Sequence, residues 1–596
     1  MNKIGINEKS TSTSNSAAFT ETDTLYELSC NLDLAGATVK IPERCILKFE
    51  EGAKISNGTL ALNNTLFEGT RHCILTEVSG IQKELDTDYF DLTKENKTAI
   101  MQSIVDTASV IQLHGRLENV FYNIQLGNKD LSLIGNGATV VNTFTESAPA
   151  IVITSNNFVR IVDLDFEISS GYAIYKNVPP ELETKLSFII DRCRFVGVGI
   201  TDVTTFIELL GSREGNISNC FFEGPTESHC IGMLGSREGN ISNCFFEEPT
   251  EIYCIGINRT SAVNTNVIGC MFSNLKYGIK AVGVKTSRDV SSEQYSVFAC
   301  GLNVQSAVMV GCEYGIYIEG NDSFFLNNSM IDHCVNPLVM MSQDGANVTN
   351  NYFSTSCKTP SDYTATITVR NNSSKGAVNR NQRIIISGNT IYGHRTTNNH
   401  GIDFDVESKD CTIQGNTLDF FTDHGIYLRH DNTGTEWTTQ KLVIDNNRFY
   451  FAYGSCDGIG GYNYTGDFAV IITNNYAIEG DNTQLLNAGT PYLGNYVCSG
   501  NHDYLPDIPS GSEGPQVYYA SRRKSTRMKI GLVMEANSNT LTISNPMNED
   551  TRIVVYVGNN RYPICVESIT STHIVFSKGV SEAVSFFAII EHVLNP

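Results

Sequence analysis

The segment HGIDFDVES, beginning at His400, alternates apolar and acidic residues without a break. If it is a strand with Ile402, Phe404 and Val406 turned inward, then Asp403, Asp405 and Glu407 line up on the opposite face. Two carboxylates at i and i+2 lie about 6.6 Å apart along a strand, close to the lower limit for inverting glycoside hydrolysis, where one acid protonates the leaving oxygen and one base activates water. Asp403 and Asp405 are candidates for that pair, with Glu436 a further candidate acid. A related segment, HGIYLRHD, begins at His424. Stacked one turn later, it sets Tyr427 beside Asp403, Arg429 beside Asp405 and Asp431 beside Glu407. The segment DGIGGYNYTGD then adds Gly460, Tyr462 and Tyr464 to the same columns. Trp437, the one Trp of the chain, lies next to Glu436 in the insertion HDNTGTEWTTQ, where its ring suits the apolar C–H face of a sugar. Elimination from a uronate would use a different set: a base such as Tyr427 or His424, and a cation. The plain alternative is a solvated acidic face, with His400 and His424 stacked as a structural pair at a turn.

Such columns exist only if the chain stacks on itself, and a repeat says that it does. Residues 210–233, LGSREGNISNCFFEGPTESHCIGM, recur as residues 234–257, LGSREGNISNCFFEEPTEIYCIGI, with four substitutions in 24 positions. A closed core rarely accepts a spare block of this size, whereas a stack in which each unit meets only its neighbours simply lengthens. Its short alternating runs, broken by Gly, Asn and Pro, read as strands and turns. The pattern "apolar, x, Asn/Gly, Cys/Asn, x, apolar" recurs with its fourth position at Cys193, Cys220, Cys244, Cys270, Cys300, Asn328, Asn351, Asn389, Asn416, Asn447, Asn475 and Asn501. The intervals are 27, 24, 26, 30, 28, 23, 38, 27, 31, 28 and 26. A second column follows, including Cys230-Ile231, Cys254-Ile255, Gly278-Ile279, Gly315-Ile316, Gly401-Ile402, Gly425-Ile426 and Gly458-Ile459. The expected fold is all-β, a right-handed parallel β-helix (solenoid).

Residues 1–24 are polar and read as a flexible or particle-anchoring N-terminus, and 25–90 as a strand-rich lead-in. The β-helix is expected over 91–510, with a helix at about 91–108, where Ile100, Ile104 and Ala108 recur at helical spacing. That helix would act as an N-terminal cap, covering the open end of the solenoid. Pro506, Pro509 and Gly511 mark a boundary before a small β-sandwich-like domain at 515–596. A net charge of −22 argues against a nucleic-acid partner. No run of eighteen apolar residues predicts membrane insertion. The first residues lack the apolar stretch of a secretory signal, which fits synthesis in the cytoplasm and buried, reduced thiols for the 17 Cys. No Cys or His spacing suggests zinc, so neither metal nor cofactor is expected.

The run from the helix TAI..SIVDTA through SVIQLHGRLENV to KDLSLIGNGAT resembles the opening of pectate-lyase-like β-helices, in particular tailed-phage tailspikes and depolymerases, over roughly residues 25–510. That resemblance implies a virion receptor-binding protein that binds bacterial surface polysaccharide, capsule or O-antigen, with or without depolymerising it. It also implies a homotrimer, and phage tail or baseplate proteins as partners of the N-terminus. A secreted or cell-surface lyase or glycoside hydrolase of the same fold is the alternative, and a non-catalytic adhesive rod the third. Polygalacturonase-type hydrolases on this fold carry an Asp-Asp pair, Gly-His-Gly and Arg-Ile-Lys. Here only Asp423-His424-Gly425 and Arg429 echo them, and no Asp-Asp occurs, so that mechanism does not transfer.

Overall fold

The structure, a computed structural model, describes all residues except 1, 8–17, 128, 144–147, 155–156, 178–187, 199–203, 212, 225–228, 249–253, 284–298, 357–364, 372–380, 395–399, 407, 430–439, 451–456, 462–467, 479–495, 500–517, 522–524, 546–552, 559–563, 580–581 and 594–596. Among the described residues there are 55 strands and one α-helix, divided into two compact units. The first is Met1–Phe325 with Ser329–Cys334, and the second Leu326–Asn328 with Val335–Pro596.

The copied block shows how a coil of the first unit is built. Arg213–Ser218, Phe221–Glu223 and His229–Leu234 make one coil of three strands, and Arg237–Ser242, Phe245–Glu247 and Ile255–Thr260 make the next. Each strand pairs in parallel with its counterpart, so that Ile217 meets Ile241 and Phe222 meets Phe246. Phe166, Phe195, Phe222, Phe246 and Phe272 form one buried stack, with ring centroids 4.7–4.9 Å apart. That distance is the spacing of neighbouring strands, so register alone stacks the rings. The fold is a right-handed parallel β-helix. The third strand slips by two residues between the copies: Ile231 pairs with Ile257, and the position expected for Ile255 faces His229.

The third residue of the recurring pattern turns the chain through the left-handed region. In the second unit Asn350, Gly388, Gly415, Asn446 and Asn474 have φ of 56°, 65°, 63°, 54° and 54°. Asn and Gly are the residues that tolerate this conformation, which explains why they alternate there. The fourth residue points inward and makes the ladder. The side chain of Asn416 donates to the Ile386 carbonyl (2.9 Å) and to Oδ1 of Asn447 (2.9 Å). Its own Oδ1 accepts the backbone N–H of Asn389 at 3.0 Å. Asn389 and Asn447 repeat this arrangement. In the first unit a thiol does the donating: Cys220, Cys244 and Cys270 reach the Ile190, Ile217 and Ile241 carbonyls at 3.8, 3.7 and 3.6 Å. The neighbouring ladder thiol, and then burial, push Cys220, Cys244 and Cys270 upward, and burial alone pushes Cys73 to about 12, which suits packing groups.

Two ladder positions differ from the expectation. Cys300 lies on Ala299–Gln305 opposite Val263, and the bend of its coil holds Ala307, preceded by Ser306 at φ 53°. Asn328 is itself the left-handed residue (φ 50°), and Ser329 fills the inward slot, its Oγ accepting the Ala307 N–H at 3.1 Å. Both displacements preserve the local alternation, so spacing could not detect them. Asn501 lies outside the described residues.

The lead-in is itself coiled: Thr24–Leu28, Ile46–Phe49 and Leu66–Gly69 pair in parallel, as do Ile55–Asn63 and Ile74–Asp86. The helix Lys97–Thr107 buries Ile100, Met101, Ile104 and Val105. It caps the first strand of a sheet, Ile124–Leu126. Gln102 donates to the Gln125 carbonyl (3.1 Å) and accepts the Gln125 N–H (2.8 Å), imitating a neighbouring strand where none exists. In the second unit the C-terminal residues form two antiparallel sheets around Met534, Ile574, Phe576, Phe586, Ala588 and Ile590.

Asn416→Ala is expected to lower unfolding free energy by about 2–4 kcal/mol, because it strands a buried N–H and removes two donated bonds. Cys244→Ala, which loses one weak donor, should cost about 1 kcal/mol. Denaturant titration of both variants checks the order, and equal losses would contradict the ladder's role.

Candidate functional site

The strands Ala365–Arg370, His400–Asp405, His424–Arg429 and Asp457–Gly461 run side by side in the second unit. Thr368 pairs with Asp403, Asp403 with Tyr427, and Tyr427 with Gly460. Asp405 pairs with Arg429. Ile402, Phe404, Ile426, Leu428 and Ile459 fill the core, so Asp403, Tyr427 and Arg429 leave the sheet on its other face.

Asp403 and Asp405 are not exposed there, in contrast to the expectation of an acidic outer surface: both are 0% accessible. Charges from neighbouring coils cover them. Nε of Arg370 lies 3.1 Å from Asp403, and Nε and Nη2 of Arg429 reach the same carboxylate at 3.1–3.2 and 3.0 Å. Although Arg429 stands beside Asp405 in register, its guanidinium crosses diagonally to Asp403. Asp405 instead accepts from Nδ2 of Asn371 at 2.6 Å. Asn371 in turn accepts from Asn381, whose Oδ1 accepts the Gln343 N–H. Fully buried beneath two guanidinium groups, the Asp403 carboxyl group does not reach the surface, where a general acid must meet its substrate.

The more open chemistry lies one strand along. The ring of Tyr427 is stacked on His400, centroids 4.3 Å apart and planes 7° off parallel, and the Arg429 guanidinium carbon lies 5.3 Å from the Tyr427 centroid. His424 is tilted 48° to His400 at 5.2 Å, so the two imidazoles adjoin but do not stack on each other. Asp423, half-exposed, places Oδ1 2.8 Å from Nδ1 of His424 and Oδ2 3.5 Å from Nδ1 of His400. On the far side Asp457 comes within 3.7 Å of Nε2 of His424. Burial lowers His400 to about 4, so its imidazole is neutral at physiological pH. His424 beside it holds Asp423 below the usual carboxylate range. Gly460 makes room for His424: a Cβ there would fall 2.0 Å from its Cδ2.

Of the expected site residues, the structure thus brings together Asp403, Asp405, Tyr427 and Arg429. Glu407, Asp431, Glu436, Trp437, Tyr462 and Tyr464 lie outside the described residues. Arg370, Asn371, Asp423 and Asp457 were not anticipated. Extending the column one coil upstream would have reached Arg370, but two insertions between Asn351 and Asn389 hide that register.

No protein-family model matches this chain, and no curated protein is significantly similar to it. Among solved structures, it is similar to tailspike protein 3 of bacteriophage CBA120, at 14% identity over 72% of this chain and with a TM-score of 0.44; it spans 63% of that protein's length. A tailspike of the E. coli bacteriophage HK620, solved with a pentasaccharide, matches at 10% identity over 81% of this chain and 87% of its own, with a TM-score of 0.42. The A-module of the Azotobacter vinelandii mannuronan C-5 epimerase AlgE6 matches at 12% over 64% and 91%, with a TM-score of 0.40. At these identities no residue role is transferred from any of them.

Asp403→Ala removes the buried carboxylate that both arginines bind and is expected to destabilise the fold by about 3–5 kcal/mol in denaturant titration. The half-exposed Asp423→Ala should change stability by less than about 1 kcal/mol. A fully stable Asp403→Ala would show that the carboxylate is not the hub of the cluster.

Proposed function

We propose that this chain recognises a surface polysaccharide along the outer face of the sheet that contains His400–Asp405 and His424–Arg429. The observation that carries this reading is the Tyr427 ring, stacked on His400 and flanked by Arg429 and His424, above a layer of mutually neutralised charges. An aromatic face ringed by hydrogen-bonding groups suits a pyranose, whose C–H face is apolar and whose rim is hydroxylated. In the first unit Tyr277 and the buried Tyr314 stack at 4.6 Å at the starts of their strands, Lys280 lies 5.1 Å from the Tyr277 centroid, and Tyr317 donates to Glu319. Trp437, Tyr462, Tyr464, Glu407 and Asp431 are proposed as further glycan contacts, on register and sequence proximity.

Where the glycan contains uronate, the site favours elimination over hydrolysis. Asp403 and Asp405 are buried and partnered, whereas Tyr427 and, through Nε2, His424 are partly open to the surface. One would take the proton α to the carboxyl group as the glycosidic C–O bond breaks, and the other or a water would return a proton to the departing oxygen, leaving an unsaturated sugar and a free hydroxyl. Hydrolysis, with Glu436 as acid, is the second reading.

The setting we propose is a virion tail, with the bacterial surface glycan as partner and three chains per spike. Association is supported by an outward column in the first unit, Phe221, Phe245, Met271, Val308 and Met330, in which Met271 and Met330 are exposed. A solvated apolar file of this length is a contact surface in search of a partner.

Tyr427→Ala should weaken binding to the recognised capsule or lipopolysaccharide about tenfold with an unchanged circular-dichroism spectrum. New reducing ends with ultraviolet absorbance would identify elimination, reducing ends alone hydrolysis, and neither a binding protein. Unchanged affinity in the variant would remove this face from recognition. Mass measurement in solution should give three times the 65.5 kDa of one chain, and a monomer would exclude the spike assembly.

A further inference from the structure

Two sets of described side chains bring three metal-ligating atoms within 4.8 Å of one another: His400, Asp423 and His424, and Asp86, Asp88 and His114. In the second set Asp88 is already paired with Arg71, and His114 and Asp86 are each about a third exposed. The first set differs. His400 is only 6% exposed, yet its Nδ1 is buried without a hydrogen-bond partner, the nearest Asp423 oxygen lying 3.5 Å away; Nδ1 of His424 faces the other oxygen of that carboxylate at 2.8 Å. A buried nitrogen left unpaired is costly, and a cation held between it, Asp423 and His424 would satisfy it.

We infer that His400, Asp423 and His424 bind one divalent cation of the zinc class. Two imidazoles and one carboxylate suit zinc, cobalt or nickel, whereas calcium and magnesium require oxygen ligands. Three protein ligands leave a coordination position open, as at sites that bind or activate a further group. Asp457, 3.7 Å from Nε2 of His424, stands where an outer carboxylate would orient a ligating imidazole. Gly460 leaves the space in which that imidazole lies. No local motif announces such a site, because the ligands come from the starts of successive coils: His400 is 24 residues before His424. The inference shares His400 and His424 with the proposed glycan surface, but its test reads metal binding alone and does not depend on that reading.

The test is calorimetric titration of the chelator-stripped full chain with ZnCl2, alongside the visible absorbance of the Co2+ form. The wild-type chain is expected to bind one equivalent. Asp423→Asn and His424→Ala should each weaken that binding at least about tenfold, while His114→Ala leaves it unchanged. Circular dichroism of each variant separates lost ligands from lost fold, and if His424→Ala does not fold, the half-exposed Asp423→Asn decides alone. Absence of a stoichiometric binding phase in the wild type, wild-type affinity in Asp423→Asn, or loss of binding in His114→Ala would each overturn the assignment.

Discussion

Everything in this molecule depends on successive coils lying one strand spacing apart in fixed register. The bend enforces that register. A left-handed residue turns the chain, and the next residue points inward to bind the coil before it. Asn serves this slot best because it both donates to a carbonyl and accepts a backbone N–H, as Asn416 does with Ile386 and Asn389. Cys keeps the donor but is a poor acceptor, and Ser329 keeps the acceptor. The inward slot thus selects for small groups, most of them able to satisfy a neighbouring backbone, and not for one residue type. This is why Cys in the first unit and Asn in the second carry the same architecture.

Register also makes the candidate site. Thr368, Asp403, Tyr427 and Gly460 are consecutive neighbours in one column although 35, 24 and 33 residues separate them. Insertions between strands change those intervals without moving the column, since each strand is placed by its pairing. A site assembled in this way shares its residues among four strands. Removing a central member such as Asp403 therefore disturbs coils on both sides, whereas Asp423, at the start of its strand, belongs to the rim.

The architecture was legible because its signal is repeated: the copied block, the Asn/Gly and Cys/Asn pairs and the apolar alternation all report the same coil. The pairings of Asp403 with Tyr427 and of Tyr427 with Gly460 followed from aligning HGIDFD, HGIYLR and DGIGG. What could not be read was where long side chains go after leaving the sheet. Alternation correctly places Asp403 and Asp405 away from Ile402 and Phe404, but it says nothing of two arginines long enough to cover them. Arg429 reaching diagonally to Asp403 is a choice of rotamer, not of register. The slips at Cys300 and Asn328 have a related origin, because a shifted bend keeps the same local pattern of apolar and small residues.

The burial of Asp403 reverses which groups are available for chemistry. Two aspartates and two arginines, packed together on a sheet face, neutralise one another and form a rigid, nearly uncharged platform. A buried ion cluster of this kind adds little net stability over an apolar one, but removing one member is costly, so its contribution is to fix geometry. What it fixes is the Tyr427 ring above it and, through the stack on His400, the adjoining imidazoles. Of these, His400 keeps a buried Nδ1 that the protein itself leaves unsatisfied. In a fold whose ladder satisfies backbone donors coil after coil, an unsatisfied nitrogen beside a half-exposed carboxylate marks the place where the chain is built to meet something other than itself.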